Sequence, residues 1–207
     1  DPATGAPMAS DAVFRIYSMT KPIVSVAVMV LMEQGKLLLS DPVAKFLPEF
    51  AKQQVARLKE GAVVTQAARH IATLQDLLRH TAGLTYEFMG CASVQRQYAQ
   101  ARIGSRERTL AEFTQELGPL PLMFEPGTAW EYGRATDVLG RVVEVVSGQR
   151  LSDYLTQHVL TPLGMHETWF SVPPEHHGRI AQPFAKDPDG GVPMRMIDVR
   201  ENAALAS

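Results

Sequence analysis

Ser18-Met19-Thr20-Lys21 sets a hydroxyl and an amine three residues apart, directly ahead of the apolar run Pro22 to Met32. In a helix opening near Ser18, that spacing puts both side chains on one face, one turn apart. Pro22 fits only a first turn, where its missing N–H is not needed, and Gly35 is a C′ residue by type. Ser18 then lies at a helix N-terminus, whose free N–H groups favour negative charge, with the Lys21 amine aimed at its hydroxyl. A serine with a base in reach and donors for an oxyanion is an activated nucleophile. The structural alternative is a serine that merely caps the helix. Lys21 bears on the choice: the helix is apolar nearly all round and so expected to be buried. An amine that close to a core is costly unless paired or neutralised.

The elements that must carry this pair follow from periodicity and punctuation. Asp1 to Ala12 is a loop rich in Pro, Gly, Ala and Ser, and Val13 to Tyr17 runs extended into the helix. Ser40-Asp41-Pro42 supplies an N-cap and a proline near N1 for a short helix that Pro48 stops. Val55 to Leu58 and Ala62 to Val64 suit a short hairpin about Glu60-Gly61. Thr73 to Asp76 resembles a capping box with Asp in place of Glu. It opens a segment running through His80 and ended by Gly83. His80 reads as a helix C-terminal histidine favoured by the dipole rather than as a catalytic base.

Residues 92–103 form a polar helix, and Thr109 with Glu112 boxes another that ends before Gly118-Pro119. Leu120 to Phe124 is apolar and closes on the turn Glu125-Pro126-Gly127. Trp130-Glu131-Tyr132-Gly133 then leads to an amphipathic helix from Ala135 to Val146, closed by Gly148. Ser152 caps a further helix to about Leu160, which Thr161 to Gly164 breaks. Arg179 to Ala185 and Val192 to Ile197 read as a hairpin around Asp187 to Gly191.

The chain has 207 residues, 45% hydrophobic and 20% charged, with formal net charge −2, as expected of one globular domain or one and a fraction. So neutral a balance carries no electrostatic footprint for nucleic acid or an anionic membrane. Pro22 to Met32 is too short to span a bilayer, and no basic n-region with a signal h-region opens the chain. Cys91 is the sole cysteine, so no internal disulfide can form. His176-His177-Gly178 has no third ligand nearby and reads as a solvated loop rather than a metal site. With no glycine-rich phosphate loop either, the sequence calls for neither metal nor cofactor. The chain opens on Asp1 and ends without closing an evident element, so it reads as a fragment; localisation and oligomeric state stay open.

Five segments occur in order: Ser18-Met19-Thr20-Lys21-Pro22, Leu77 to Leu84, Glu125 to Tyr132, Leu139 to Gly148 and Pro162 to Met165. Together they resemble the serine β-lactamase-like family, which includes class C β-lactamases, D-Ala-D-Ala peptidases and family VIII carboxylesterases. The wording of His80 to Tyr86 and of Thr136 to Gly148 is most similar to the esterases. The resemblance implies an α+β, β-lactamase/transpeptidase-like fold. Residues 1–207 then hold mostly the helical domain with the nucleophile helix, with most of the antiparallel sheet missing at both ends. It also implies Ser18 as acyl-accepting nucleophile, Lys21 as its partner and Tyr132, matching the tyrosine of a Tyr-x-Asn motif, as third member of the base network. Whether Lys21 or Tyr132 takes the proton stays open.

Two departures qualify that expectation. Arg134 stands where the motif has asparagine, at a substrate-binding position, and Gly133 stands where serine is usual. The asparagine helps hold a lactam or peptide amide, so a carboxylesterase on short-chain esters is the leading expectation. A β-lactamase or D-Ala-D-Ala carboxypeptidase is the enzymatic rival, and an inactive binding or scaffold homologue the other. The family's last motif, a Lys/His-x-Gly-like strand that supplies an oxyanion donor, is absent from these residues. The expected partner is a small-molecule ester or amide.

Overall fold

A computed structural model describes residues 5, 7–59, 62–90, 92–184, 191 and 198–200. Helix α1, Thr20–Glu33, follows a single 3-10 turn at Tyr17–Met19. It ends as its sequence requires: Gly35 takes φ +68°, and the N–H groups of Gly35 and Lys36 bond back to Met32 and Leu31. That is a Schellman ending, in which glycine carries the left-handed residue without strain. The expectation of burial on all sides is corrected. Val24, Ala27, Val28 and Leu31 are buried, whereas Val26 and Met29 are exposed. Among the described elements, α1 packs on the later helices with one side only.

β1, Gln54–Lys59, and β2, Ala62–Ala67, pair antiparallel with Gln54 opposite Ala67 and Lys59 opposite Ala62. The hairpin lies where the two β-branched stretches put it; its turn residues, Glu60 and Gly61, are outside the described set. Leu122 bonds across β1, its N–H to Gln54 and its carbonyl to the Ala56 N–H, which ties the apolar stretch 120–124 to the sheet. Glu125 fastens the same junction: its buried carboxylate accepts from Arg57 at 3.0 Å and from the Arg69 N–H at 2.9 Å.

α2, Leu74–Leu78, and α4, Leu110–Leu117, begin at the two capping boxes, with Thr73–Asp76 and Thr109–Glu112 bonded reciprocally. α3, Ser93–Gln100, lies between them. α5, Ala135–Ser147, is the hub: it packs against α1, α2, α4 and α6, Leu151–Leu155, and closes on Gly148 at φ +70°. Val138, Leu139, Val142 and Val143 on α5 lie in one core with the buried face of α1.

Several local expectations are corrected. Pro42 is the N-cap of a 3-10 turn, Val43–Lys45, and Pro48 opens a second one, Pro48–Phe50, instead of a longer helix being stopped there. Asp41 turns back to the Leu38 N–H and across to Lys45. Ser152 lies inside α6 and does not cap it. The carboxylate of Glu144, reaching over from α5, accepts the Leu151 N–H at 3.1 Å, so a tertiary contact performs the capping. α6 then passes into a π-helical turn, Thr156–Leu160. His176 and His177 are not loosely solvated: they belong to a 3-10 segment, Pro174–Arg179, with His176 stacked on Trp169 and His177 bonded to the Val172 carbonyl. The hairpin expected over 179–197 lies largely outside the described residues. No helix among the described residues is long and apolar enough to cross a membrane.

Candidate active site

Ser18 sits in the 3-10 turn that feeds α1, after Tyr17 at φ +42°, a left-handed conformation rare for an aromatic residue. The N-cap of α1 is Met19, and no side chain caps it, so the capping reading of Ser18 does not hold and its hydroxyl is left for other partners. Lys21, in the first turn of α1, donates to Ser18 Oγ at 3.2 Å. Tyr132 reaches in from the segment before α5 and donates to the same oxygen at 2.6 Å. The structure therefore brings Ser18, Lys21 and Tyr132 into one hydrogen-bonded cluster. Ser18 and Tyr132 are 114 positions apart in the chain.

Gly133 explains how Tyr132 arrives. A Cβ at that position would lie 2.5 Å from both the Leu84 carbonyl oxygen and the Thr85 Cα, so the segment before α5 lies backbone against backbone on residues 84–85. No side chain fits there, which gives a physical reason for glycine in place of the usual serine. The contact also brings in Tyr86, absent from the expected site, whose hydroxyl accepts from Lys21 at 3.3 Å. Lys21 Nζ thus lies among three oxygens and 4.6 Å from the centre of the Tyr132 ring.

The electrostatics follow from this crowding. Burial alone would lower the Lys21 pKa, but hydrogen bonds to Tyr132 and Tyr86 and attraction to their oxygens outweigh it and hold the amine above its ordinary value. Tyr132 moves the other way. Burial would raise it, but its hydrogen bonds with Lys21 and Ser18 and the Lys21 charge bring it below the ordinary tyrosine value. Tyr86 is raised, by burial and by the nearby Asp137 carboxylate, against the pull of Lys21. One amine therefore serves two phenols, and the one bonded to the serine is the easier to ionise.

His80 is also corrected. α2 ends at Leu78, and His80 occupies the left-handed position of a Schellman ending at φ +57°, its N–H bonded to Leu77 and the Thr81 N–H to Asp76. Gly83, at φ +80°, has another task, because a Cβ there would stand 2.6 Å from the Phe124 carbonyl oxygen. His80 lies 5.0 Å from the Tyr132 ring. Burial and the Lys21 charge push its pKa down, the opposite of the upward shift a helix dipole gives a C-terminal histidine. The rule that left-handed C′ positions go to glycine pointed away from it.

Arg134 is set apart from the three. Its guanidinium donates through two nitrogens to both oxygens of Glu87 and lies 4.7 Å from the Tyr86 ring. The pair is largely enclosed, with 13% and 17% of the two side chains exposed. Tyr86, Glu87 and Arg134 thus join the residue 84–87 segment to the start of α5. A separate cavity of about 380 Å³ is lined by Phe14, Tyr17, Trp169 and Ile180 and does not include Ser18, Lys21 or Tyr132. Among the described residues no cluster of His, Cys, Asp and Glu could hold a metal ion.

The β-lactamase family model matches residues 1–204. Esterase EstB of Burkholderia gladioli is 40% identical over 202 residues, an alignment covering 96% of this chain and 47% of EstB. The solved structure of EstCE1, a hydrolase with promiscuous acyltransferase activity, superposes with TM-score 0.77 at 31% identity, over 96% of this chain and 49% of that one. Simvastatin synthase LovD from Aspergillus terreus superposes with TM-score 0.74 at 28% identity, over 93% of this chain and 49% of that one. The chain thus spans about half the length of the relatives it matches. Its helix-rich architecture with a small antiparallel sheet is that of the β-lactamase/transpeptidase-like fold, and the chain belongs to the β-lactamase family.

Proposed function

We propose that the protein is a serine hydrolase acting on carboxylic esters through an acyl-enzyme at Ser18, and that these residues hold its nucleophile and base. The observation that carries this reading is the Ser18 hydroxyl between Lys21 at 3.2 Å and Tyr132 at 2.6 Å. The similarity to esterase EstB supports it. In the reacting form Tyr132 is a phenolate held by the Lys21 ammonium, as the opposed pKa directions favour. Ser18 Oγ attacks the ester carbonyl carbon, and its proton passes to the Tyr132 oxygen. Collapse of the tetrahedral adduct breaks the C–O bond, and Tyr132 returns the proton to the leaving alkoxide. Water then attacks the acyl-serine and gives its proton to Tyr132, which passes it to Ser18 Oγ as the acid departs. An alcohol in place of water would turn the same intermediate into an acyl transfer, the activity named for EstCE1.

Esters are favoured over lactams and peptide amides because Arg134 replaces a neutral two-way hydrogen-bonding side chain and is itself engaged by Glu87. An inactive scaffold homologue is disfavoured by the joint presence of all three groups. The test compares turnover of a p-nitrophenyl short-chain ester and a chromogenic cephalosporin by the full-length protein, with Ser18→Ala as the blank. Faster cephalosporin turnover would reverse the substrate assignment, and undiminished turnover in the blank would remove Ser18 from the chemistry.

A further inference from the structure

Four aromatic rings run past the Ser18 hydroxyl in one row. Phe88 stacks on Tyr86 at 4.8 Å, Tyr86 meets Tyr132 edge-on at 5.6 Å, and Trp130 lies stacked beyond Tyr132 at 6.2 Å. The two inner rings carry the hydroxyls that touch Lys21 and Ser18. The two outer rings do no such work, and yet they are the open ones: Phe88 is 71% exposed and Trp130 65%. Single exposed apolar side chains are ordinary on a protein surface. Two large rings at opposite ends of one row that includes the proposed base are a different matter, since exposed apolar surface joined to a reactive centre marks a ligand-binding surface.

Charge narrows what could lie on it. The Lys21 amine is engaged by Ser18 and Tyr86, and the Arg134 guanidinium, packed on the Tyr86 face, is matched by Glu87. Neither cation along the row is left to receive a substrate carboxylate. What the row presents is exposed π-surface beyond each of the two tyrosines at the nucleophile, suited to stacking and to dispersion contact with an uncharged apolar group.

On the reading of Ser18 as an ester-cleaving nucleophile, we propose that Phe88 and Trp130 are specificity-determining residues, and that the substrates are uncharged esters carrying an aromatic or bulky aliphatic group. An ester bound at Ser18 extends two arms from its carbonyl carbon, the acyl group and the alkoxy group. The row offers two aromatic platforms, Phe88 beyond Tyr86 and Trp130 beyond Tyr132. Losing one platform weakens one arm more than the other.

The experiment measures kcat/KM by pH-stat for ethyl acetate, benzyl acetate, ethyl phenylacetate and the charged monoethyl succinate. It uses the full-length protein, its Phe88→Ala and Trp130→Ala variants, the milder Phe88→Leu and Trp130→Phe, and Ser18→Ala. The expected result is that each alanine variant lowers one aromatic-to-ethyl-acetate ratio by about tenfold, the scale of lost apolar pocket contact. The milder variants should lie between, and monoethyl succinate should be the poorest substrate of the wild type. A loss shared equally by all esters would mean the rings act only structurally and would overturn the inference, as would unchanged ratios or a preference for the charged monoester. These results leave the hydrolase reading intact. Turnover that survives in Ser18→Ala is distinguishable from them, since it overturns that reading and this inference together.

Discussion

Gly133→Ala tests whether the close approach before α5 is what delivers Tyr132 to Ser18. The added methyl would stand 2.5 Å from the Leu84 oxygen and the Thr85 Cα and 2.6 Å from the Thr85 carbonyl carbon. All three are backbone atoms, so no side chain can swing away. Ordinary contact lies near 3.5 Å, so the two segments must part by about 1 Å. Tyr132 is the adjacent residue and carries the shift toward the Ser18 oxygen it holds at 2.6 Å. A displacement of about 1 Å takes that bond beyond hydrogen-bonding range, and misplacement on this scale costs about 100-fold in rate. Overpacking costs a further 1–3 kcal/mol or so of stability. The assay is kcat/KM for p-nitrophenyl acetate by the full-length protein beside its thermal melting curve, with Gly133→Ser as a second variant. Near-wild-type activity in a variant that melts a few degrees lower would mean that the strain is absorbed without moving Tyr132, and that Gly133 does not deliver it.

Tyr132→Phe keeps a ring against His80, Trp130 and Tyr86 and removes only the hydroxyl; turnover of the same ester should fall about 10²- to 10⁴-fold with little change in melting temperature. The pH profile should be bell-shaped and alkaline, since the reacting form proposed above has Tyr132 deprotonated and Lys21 protonated. Activity rises through a limb below the ordinary tyrosine value of 10.0 and falls through one above the ordinary lysine value of 10.5. The two limbs belong to the coupled pair, and the rising one should vanish in Tyr132→Phe. Glu125 gives an acid-side prediction. Burial opposes its ionisation, but the Arg69 N–H and Arg57 hold its pKa below the ordinary value. Its contribution is therefore complete above the unfolded glutamate value and lost as pH falls through the lowered one. In Glu125→Gln, denaturant unfolding at pH 7 should show a loss of about 1 kcal/mol that disappears on acidification.

What was legible in the sequence was mostly local. The Ser18–Lys21 spacing is a helical one and closes to 3.2 Å. Both capping boxes, the 54–67 hairpin, Gly35 and Gly148 rest on signals a few residues long, and each of these elements formed. What was not legible depends on distant parts of the chain. Tyr86 lies 65 positions from Lys21 with no periodicity to link them, and its segment is held alongside by the bare backbone at Gly133 and by the Arg134–Glu87 pair. His80, not Gly83, carries the left-handed residue that ends α2, while Gly83 turns left-handed against Phe124 instead. α6 starts without a local cap because Glu144 reaches it from α5. The apolar character of α1 predicted burial on every side. Burial, however, is a property of what surrounds a helix and not of its own composition.

The roles proposed for Ser18, as acyl-accepting nucleophile, and Tyr132, as its base, can be read from covalent labelling. The most direct measurement is covalent trapping of the full-length protein with a serine-directed fluorophosphonate, with the modified residue located by peptide mass spectrometry and the rate of labelling followed. The predicted result is a single adduct on Ser18, none in Ser18→Ala, and labelling about 100-fold slower or more in Tyr132→Phe. An adduct on another residue would remove Ser18 as the nucleophile, and labelling of Ser18 that proceeds as fast without the Tyr132 hydroxyl would remove Tyr132 as its base.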